Sequence, residues 1–112
     1  MIEERSFQFS LKIISLVKSL RDQKEFIFAD QLLKSATSIG ANVCEAGAGQ
    51  SKKDFTAKMA IASKEARETR YWLRLLTEGQ IISEQLGKPY LDEIQELVKI
   101  LTKIVKTSQA KI

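Results

Sequence analysis

The chain has 112 residues, 44% hydrophobic and 29% charged, an ordinary globular balance for one domain with one core over 1–112. Histidine is absent, which removes His-based triads, His general bases and most zinc or di-iron designs. The net charge of +4 is compatible with nucleic acid but is shared by many proteins that do not bind it.

Phe9, Ile13, Leu16 and Leu20 step by four, three and four, the spacing of one buried helix face, and predict a helix over 5–21. The polar RDQKE at 21–25 turns the chain. Leu32, Ala36, Ile39, Val43 and Ala46 predict a second helix over 26–46, and GAGQS at 47–51 a second turn. Phe55, Met59, Ala62, Ala66, Thr69, Leu73 and Leu76 carry a third helix over 52–84, with Ser51 as its cap and Asp54 three residues on. In LGKPY, 86–90, Gly87 is expected to stop that helix and Pro89 to begin the last one. That last helix, over 89–108, rests on Leu91, Ile94, Val98, Leu101 and Val105, and the closing SQAKI is expected to fray. Short connections make neighbours antiparallel, so the expected fold is all-α, an up-down-up-down antiparallel four-helix bundle.

Gly40, Gly47 and Gly49, followed by Lys52 and Lys53, invite comparison with a phosphate loop. A Walker loop needs Gly-x-x-x-x-Gly-Lys-Ser/Thr after a strand, whereas Gly49 precedes Gln-Ser-Lys-Lys and follows a helix. The stretch reads as a helical hairpin, with Gly40 a small packing surface and Gly47 and Gly49 closing the second helix. No apolar run approaches the roughly 20 residues of a membrane span. MIEERSFQFS lacks the apolar region of a signal peptide. Cys44 is alone, so no internal disulfide can form. A cytoplasmic protein without membrane contact is expected.

Beside its core seam the third helix carries a second series, Lys58, Ile61, Glu65, Glu68, Trp72, Leu75 and Gly79, with Tyr71 close by. Two partly apolar stripes on one helix suggest a second neighbour, most simply another copy of the chain, with Ile61, Tyr71, Trp72 and Leu75 at the interface. The alternative is that Trp72 and Leu75 widen the bundle's own core. Glu65 and Glu68 stand one turn apart, as do Asn42 and Glu45 on the neighbouring helix. These four are read as a structural polar network, with Lys34, Arg67 or Arg70 as partners. Acid–base chemistry or metal binding by Glu45, Glu65 and Glu68 is the competing reading.

Residues 51–80 are the most basic quarter, with Lys52, Lys53, Lys58, Lys64, Arg67, Arg70 and Arg74 against Asp54, Glu65, Glu68 and Glu78. Arg67, Arg70 and Arg74 share a face with Lys64 at its edge, and Lys99, Lys103 and Lys106 form a stripe on the last helix. Such stripes can follow a phosphate backbone, or simply be the wet side of a helix. An oligomer would repeat the patch and strengthen its field.

QLLKSATSIGANVCEA (31–46), SKKDF (51–55) and IASKEARETRYWLRLL (61–76) closely resemble the bacterial four-helix bundle proteins encoded by intervening sequences of 23S ribosomal RNA genes. That family includes the accessory variability determinant of diversity-generating retroelements. The resemblance spans roughly 7–106, and its motif falls on Ser38, Ile39, Asn42, Glu45, Phe55, Glu65, Glu68 and Trp72. It implies a compact bundle assembling as a ring-shaped homopentamer, with no catalytic activity and no cofactor. For the retroelement members it implies a basic assembly that partners a reverse transcriptase and binds nucleic acid. The function expected is thus a non-enzymatic oligomeric scaffold binding RNA or DNA through repeated basic stripes. The alternative is a protein–protein assembly module without nucleic acid.

Overall fold

Each apolar series becomes the buried side of one helix in the computed structural model, which describes residues 1–49 and 51–110. The helices are α1 (Ile2–Asp22), α2 (Phe26–Gly47), α3 (Lys52–Glu78) and α4 (Glu84–Ala110), and no strand occurs among the described residues. Cross-helix contacts show that neighbours run antiparallel. Arg21 meets Asp30 at one end of α1 and α2, and the Ser10 hydroxyl donates to the Ala36 carbonyl further along. Lys58 meets Glu45, and Thr69 meets Ser35, between α2 and α3. Thr56 meets Ser108 between α3 and α4. Arg5 meets Glu93, and Tyr90 donates to the Lys12 carbonyl, between α1 and α4. The result is an up-down-up-down four-helix bundle, 46 × 21 × 19 Å, in which α1 and α4 touch least of the four adjacent pairs.

The core is built from Phe9, Ile13 and Leu20 of α1, Leu32, Ile39 and Val43 of α2, Leu73 and Leu76 of α3, and Ile94, Leu97 and Leu101 of α4. Ala29 and Ala36 on α2 and Ala62 and Ala66 on α3 are fully buried, so these two backbones can approach closely. Two hydroxyl pairs lie inside the bundle, Ser35 with Thr69 at 2.9 Å and Thr56 with Ser108. Among the described residues every buried side-chain N or O has a partner, as burial of a polar group demands. Ser51 caps α3, its hydroxyl accepting the Asp54 N–H at 3.0 Å.

The third connection lies elsewhere than the sequence predicts. The third helix ends at Glu78, not 84, and the fourth starts at Glu84, not 89. The Gln80 N–H donates to the Thr77 carbonyl and the Ile81 N–H to the Leu76 carbonyl, a Schellman closure that reverses the chain at once. Ser83 then caps α4, accepting the Leu86 N–H at 3.1 Å. Gly87 is therefore no stop. It is a buried residue inside α4, where an added Cβ would sit 2.3 Å from the Thr77 hydroxyl oxygen. Pro89 is the sixth residue of α4 rather than its first. The N–H it lacks would have served the carbonyl of Gln85, an exposed residue near the helix start, so the loss is small. The seam of α4 is also rotated. Leu97 is fully buried, whereas Leu91 and Val105, both expected in the core, are half-buried.

At the far end, where the sequence predicts fraying, α4 continues through Ala110 and Ser108 is buried on Thr56. Lys111 and Ile112 of the expected frayed tail, and Gln50 of the expected second turn, lie outside the described residues.

α1 closes in the same way as α3, with the Glu25 N–H on the Leu20 carbonyl. In both closures the left-handed residue carries a side chain, Lys24 at φ 63° and Gln80 at φ 61°. Gly79 stands one position too early to relieve that strain. Gln80→Gly is expected to stabilise the fold by about 1 kcal/mol, since only glycine takes this conformation without steric cost. Gly79→Ala is expected to show no such gain. Urea unfolding of both variants checks this.

Candidate functional site

α3 separates two kinds of surface on its opposite flanks. Lys58, Glu65 and Trp72 follow one another at seven-residue steps on the side of α2, where Lys58 pairs with Glu45 at 3.1 Å. Thr56, Ser63, Arg70 and Thr77 follow at the same steps on the side of α4, where Thr56 bonds Ser108 and Thr77 abuts Gly87.

On the α2 flank the four polar residues singled out in the sequence lie along one seam, each with a separate environment. The Asn42 amide donates to the Ser38 carbonyl of its own helix at 2.8 Å. Glu45 reaches Lys58 in a largely solvated pair, a type that contributes about 0–1 kcal/mol. Glu68 accepts the Trp72 indole N–H at 3.2 Å. Glu65 is half-buried and its backbone carbonyl takes the Thr69 hydroxyl. No hydrogen bond joins any two of Asn42, Glu45, Glu65 and Glu68 among the described residues. Of their expected partners, Arg67 turns instead to the Ser63 hydroxyl at 3.2 Å, and Arg70 and Lys34 form no ion pair there. No group of three or more Cys, Asp or Glu able to hold a metal occurs among the described residues.

Trp72 anchors an aromatic cluster on this flank. Phe28 of α2 meets it edge-on at 6.2 Å and 78°, and Tyr71 at 5.3 Å and 75°. Trp72 is half-buried, packed against the bundle's own core, while Ile61, Tyr71 and Leu75 beside it are exposed. Trp72 thus packs on the bundle's own core, whereas Leu75 stays outside it with Ile61 and Tyr71 as an exposed apolar patch.

A second exposed apolar patch was legible but unused. Phe7, Leu11 and Ile14 step by four and three on α1, running two residues out of phase with its core seam, and all three are exposed. Beside them the α1–α2 groove opens into a cleft of about 460 Å³ reached by Thr37, Gly40, Ala41 and Cys44.

On the α4 flank, Arg67 and Arg74 are exposed and Arg70 is half-exposed, while Lys64, seven residues before Tyr71, is exposed on the outer face at the edge of this stripe. Arg74 pairs with Glu78 at 2.9 Å, and that hydrogen bond raises the Arg74 pKa above its ordinary value. Lys64 and Arg70 have no ion-pair partner among the described residues. The register set by Thr56–Ser108 and Thr77–Gly87 brings residue 67 level with residue 97, so the α3 stripe lies beside α4, which carries Lys99, Lys103 and Lys106. Among the described residues, Lys99 alone of these lysines meets an acid, Glu96 at 3.7 Å. No helix among the described residues is long and apolar enough to cross a membrane.

Comparison with known proteins gives these surfaces a context. The family model for the 23S rRNA-intervening sequence protein matches residues 1–103. A crystal structure from Bacteroides thetaiotaomicron VPI-5482, of a protein with unknown function from the S23 ribosomal protein family, is similar at 41% identity and a TM-score of 0.90. The match covers 95% of this chain and 99% of that one. No curated protein matches the chain. A match over residues 1–103, on a bundle whose α2–α3 hairpin carries Ser38, Asn42, Glu45, Glu68 and Trp72 along one seam, establishes that the chain belongs to the family of 23S rRNA-intervening sequence proteins.

Proposed function

We propose that the chain is a non-enzymatic homo-oligomeric scaffold, a ring of five copies, that holds RNA through repeated copies of the stripe Lys64, Arg67, Arg70 and Arg74. The observation that carries the reading is the charge separation across α3. The arginines lie on the α4 side, away from the Glu65 and Glu68 seam, with only Arg74 spent on an acid. Such a stripe suits a phosphate backbone and reads no bases. Self-association is supported by two unlike apolar patches, Phe7–Leu11–Ile14 on α1 and Ile61–Tyr71–Leu75 on α3, on different sides of α2. Unlike patches pair head to tail, and head-to-tail contacts form a ring when the rotation between copies closes. The number five rests on the family resemblance alone.

Fluorescence anisotropy with labelled RNA across a salt series tests the nucleic-acid part. Reversing all four charges to Glu is expected to weaken binding about tenfold or more and to flatten the dependence on salt. Full affinity in that variant would end the assignment. For assembly, Leu75→Asp, at an exposed position, is expected to shift the sedimentation profile towards the monomer, and an unchanged profile would remove this patch from the interface. A protein–protein assembly module is the second reading, favoured by the apolar patches; assembly intact with no RNA affinity at low salt would select it.

A further inference from the structure

At the end of the bundle where α3 begins and α4 finishes, a cleft of about 530 Å³ opens between the two helices, lined by Lys52, Phe55, Lys103, Ile104, Thr107 and Ser108. Phe55 and Ile104 form its floor, both half-buried against the core. The Ser108 hydroxyl is already engaged by Thr56, which leaves Thr107 as the one neutral hydrogen-bonding side chain on offer. Lys52 and Lys103 are exposed at the rim. Among the described residues neither forms an ion pair and no carboxylate lines the cleft. The cleft lies apart from Lys64, Arg67, Arg70 and Arg74, none of which lines it.

We propose that this cleft binds an amphipathic monoanion, a carboxylate on an alkyl or aromatic body, with the head between Lys52 and Lys103 and the body on Phe55 and Ile104. The occupant follows from complementarity. An apolar floor rewards an apolar body, and two ammonium groups at one rim, without an acidic partner among the described residues, reward a single negative end. The stems of the same lysines extend the apolar wall while their charges stay in water. A nucleobase fits less well, because its several donors and acceptors would be desolvated against one free hydroxyl.

The test is a titration of the isotope-labelled full chain with decanoate below its micelle concentration, followed by amide NMR, with decylamine as the matched cation. Decanoate is expected to move the signals of Phe55, Ile104 and Thr107, and decylamine to bind about tenfold more weakly or worse. Lys52→Glu with Lys103→Glu is expected to remove that preference. Thr107→Trp, at an exposed helical position, is expected to fill the cleft and abolish the shifts while the rest of the spectrum is retained. Shifts centred elsewhere, equal binding of decylamine, unchanged binding by Thr107→Trp, or no binding at millimolar decanoate would each overturn the proposal. A single-stranded oligonucleotide that moves the same signals at lower concentration than decanoate would overturn the ligand class.

Discussion

Gly87→Val is expected to destabilise the bundle by about 3 kcal/mol, the upper part of the range for overpacking a well-filled site. Even a Cβ at this position would lie 2.3 Å from Thr77 Oγ1, 3.0 Å from Cγ2 and 3.2 Å from Cβ. Rotating the threonine gives little relief, because Cβ stays at 3.2 Å and turning the hydroxyl away leaves the methyl against the new group. Its hydroxyl is also committed to the Leu73 carbonyl at 2.8 Å. The two helices must separate, or α4 must shift along its axis. Thr77→Ala made in the Gly87→Ala background is expected to recover most of the loss caused by Gly87→Ala alone. That coupling identifies the contact itself, rather than glycine's backbone freedom, as the reason glycine stands here. Chemical unfolding of the four proteins measures it. A penalty that Thr77→Ala leaves untouched would refute the contact.

Leu97→Ala is expected to cost about 2–5 kcal/mol, and Leu91→Ala clearly less. The two side chains are the same, so the difference is one of place. Leu97 is fully buried in the middle of α4, and Leu91 is half-buried near its beginning. The heptad pattern alone argues the reverse, since it takes Leu91, Ile94, Val98, Leu101 and Val105 as the seam and passes over Leu97. Thermal or urea unfolding of the pair decides between the pattern and the packing. Equal losses would mean that Leu91 and Leu97 share the core equally.

α1 shows why one apolar pattern can leave a surface unread. Phe9, Ile13, Leu16 and Leu20 are buried, while Phe7, Leu11 and Ile14 repeat nearly the same spacing two residues out of phase and are exposed. Both series would suit a buried face, and only the positions of α2 and α4 select one. On α3 the sequence pattern was more telling. The separation of Arg67, Arg70 and Arg74 from Glu65, Glu68 and Trp72 follows from helical spacing alone, because residues seven apart return to one flank. Which flank meets α2 and which meets α4 is a matter of packing, and the Lys58–Glu45 and Thr56–Ser108 pairs decide it.

The number of helices, their antiparallel order and the family of the α2–α3 hairpin were determined by the sequence itself, because helical periodicity and short connections are local properties of the chain. The third turn was not. Gly87 and Pro89 signal a helix boundary only in the absence of neighbours, and here the boundary is set by hydrogen bonds between residues 76 and 86, while Gly87 answers to Thr77 on another helix. The cleft between Lys52 and Lys103 likewise exists only because residues far apart in the chain meet where α3 begins and α4 ends. A glycine or a lysine carries no mark of what lies opposite it, and only the distance between packed helices supplies that.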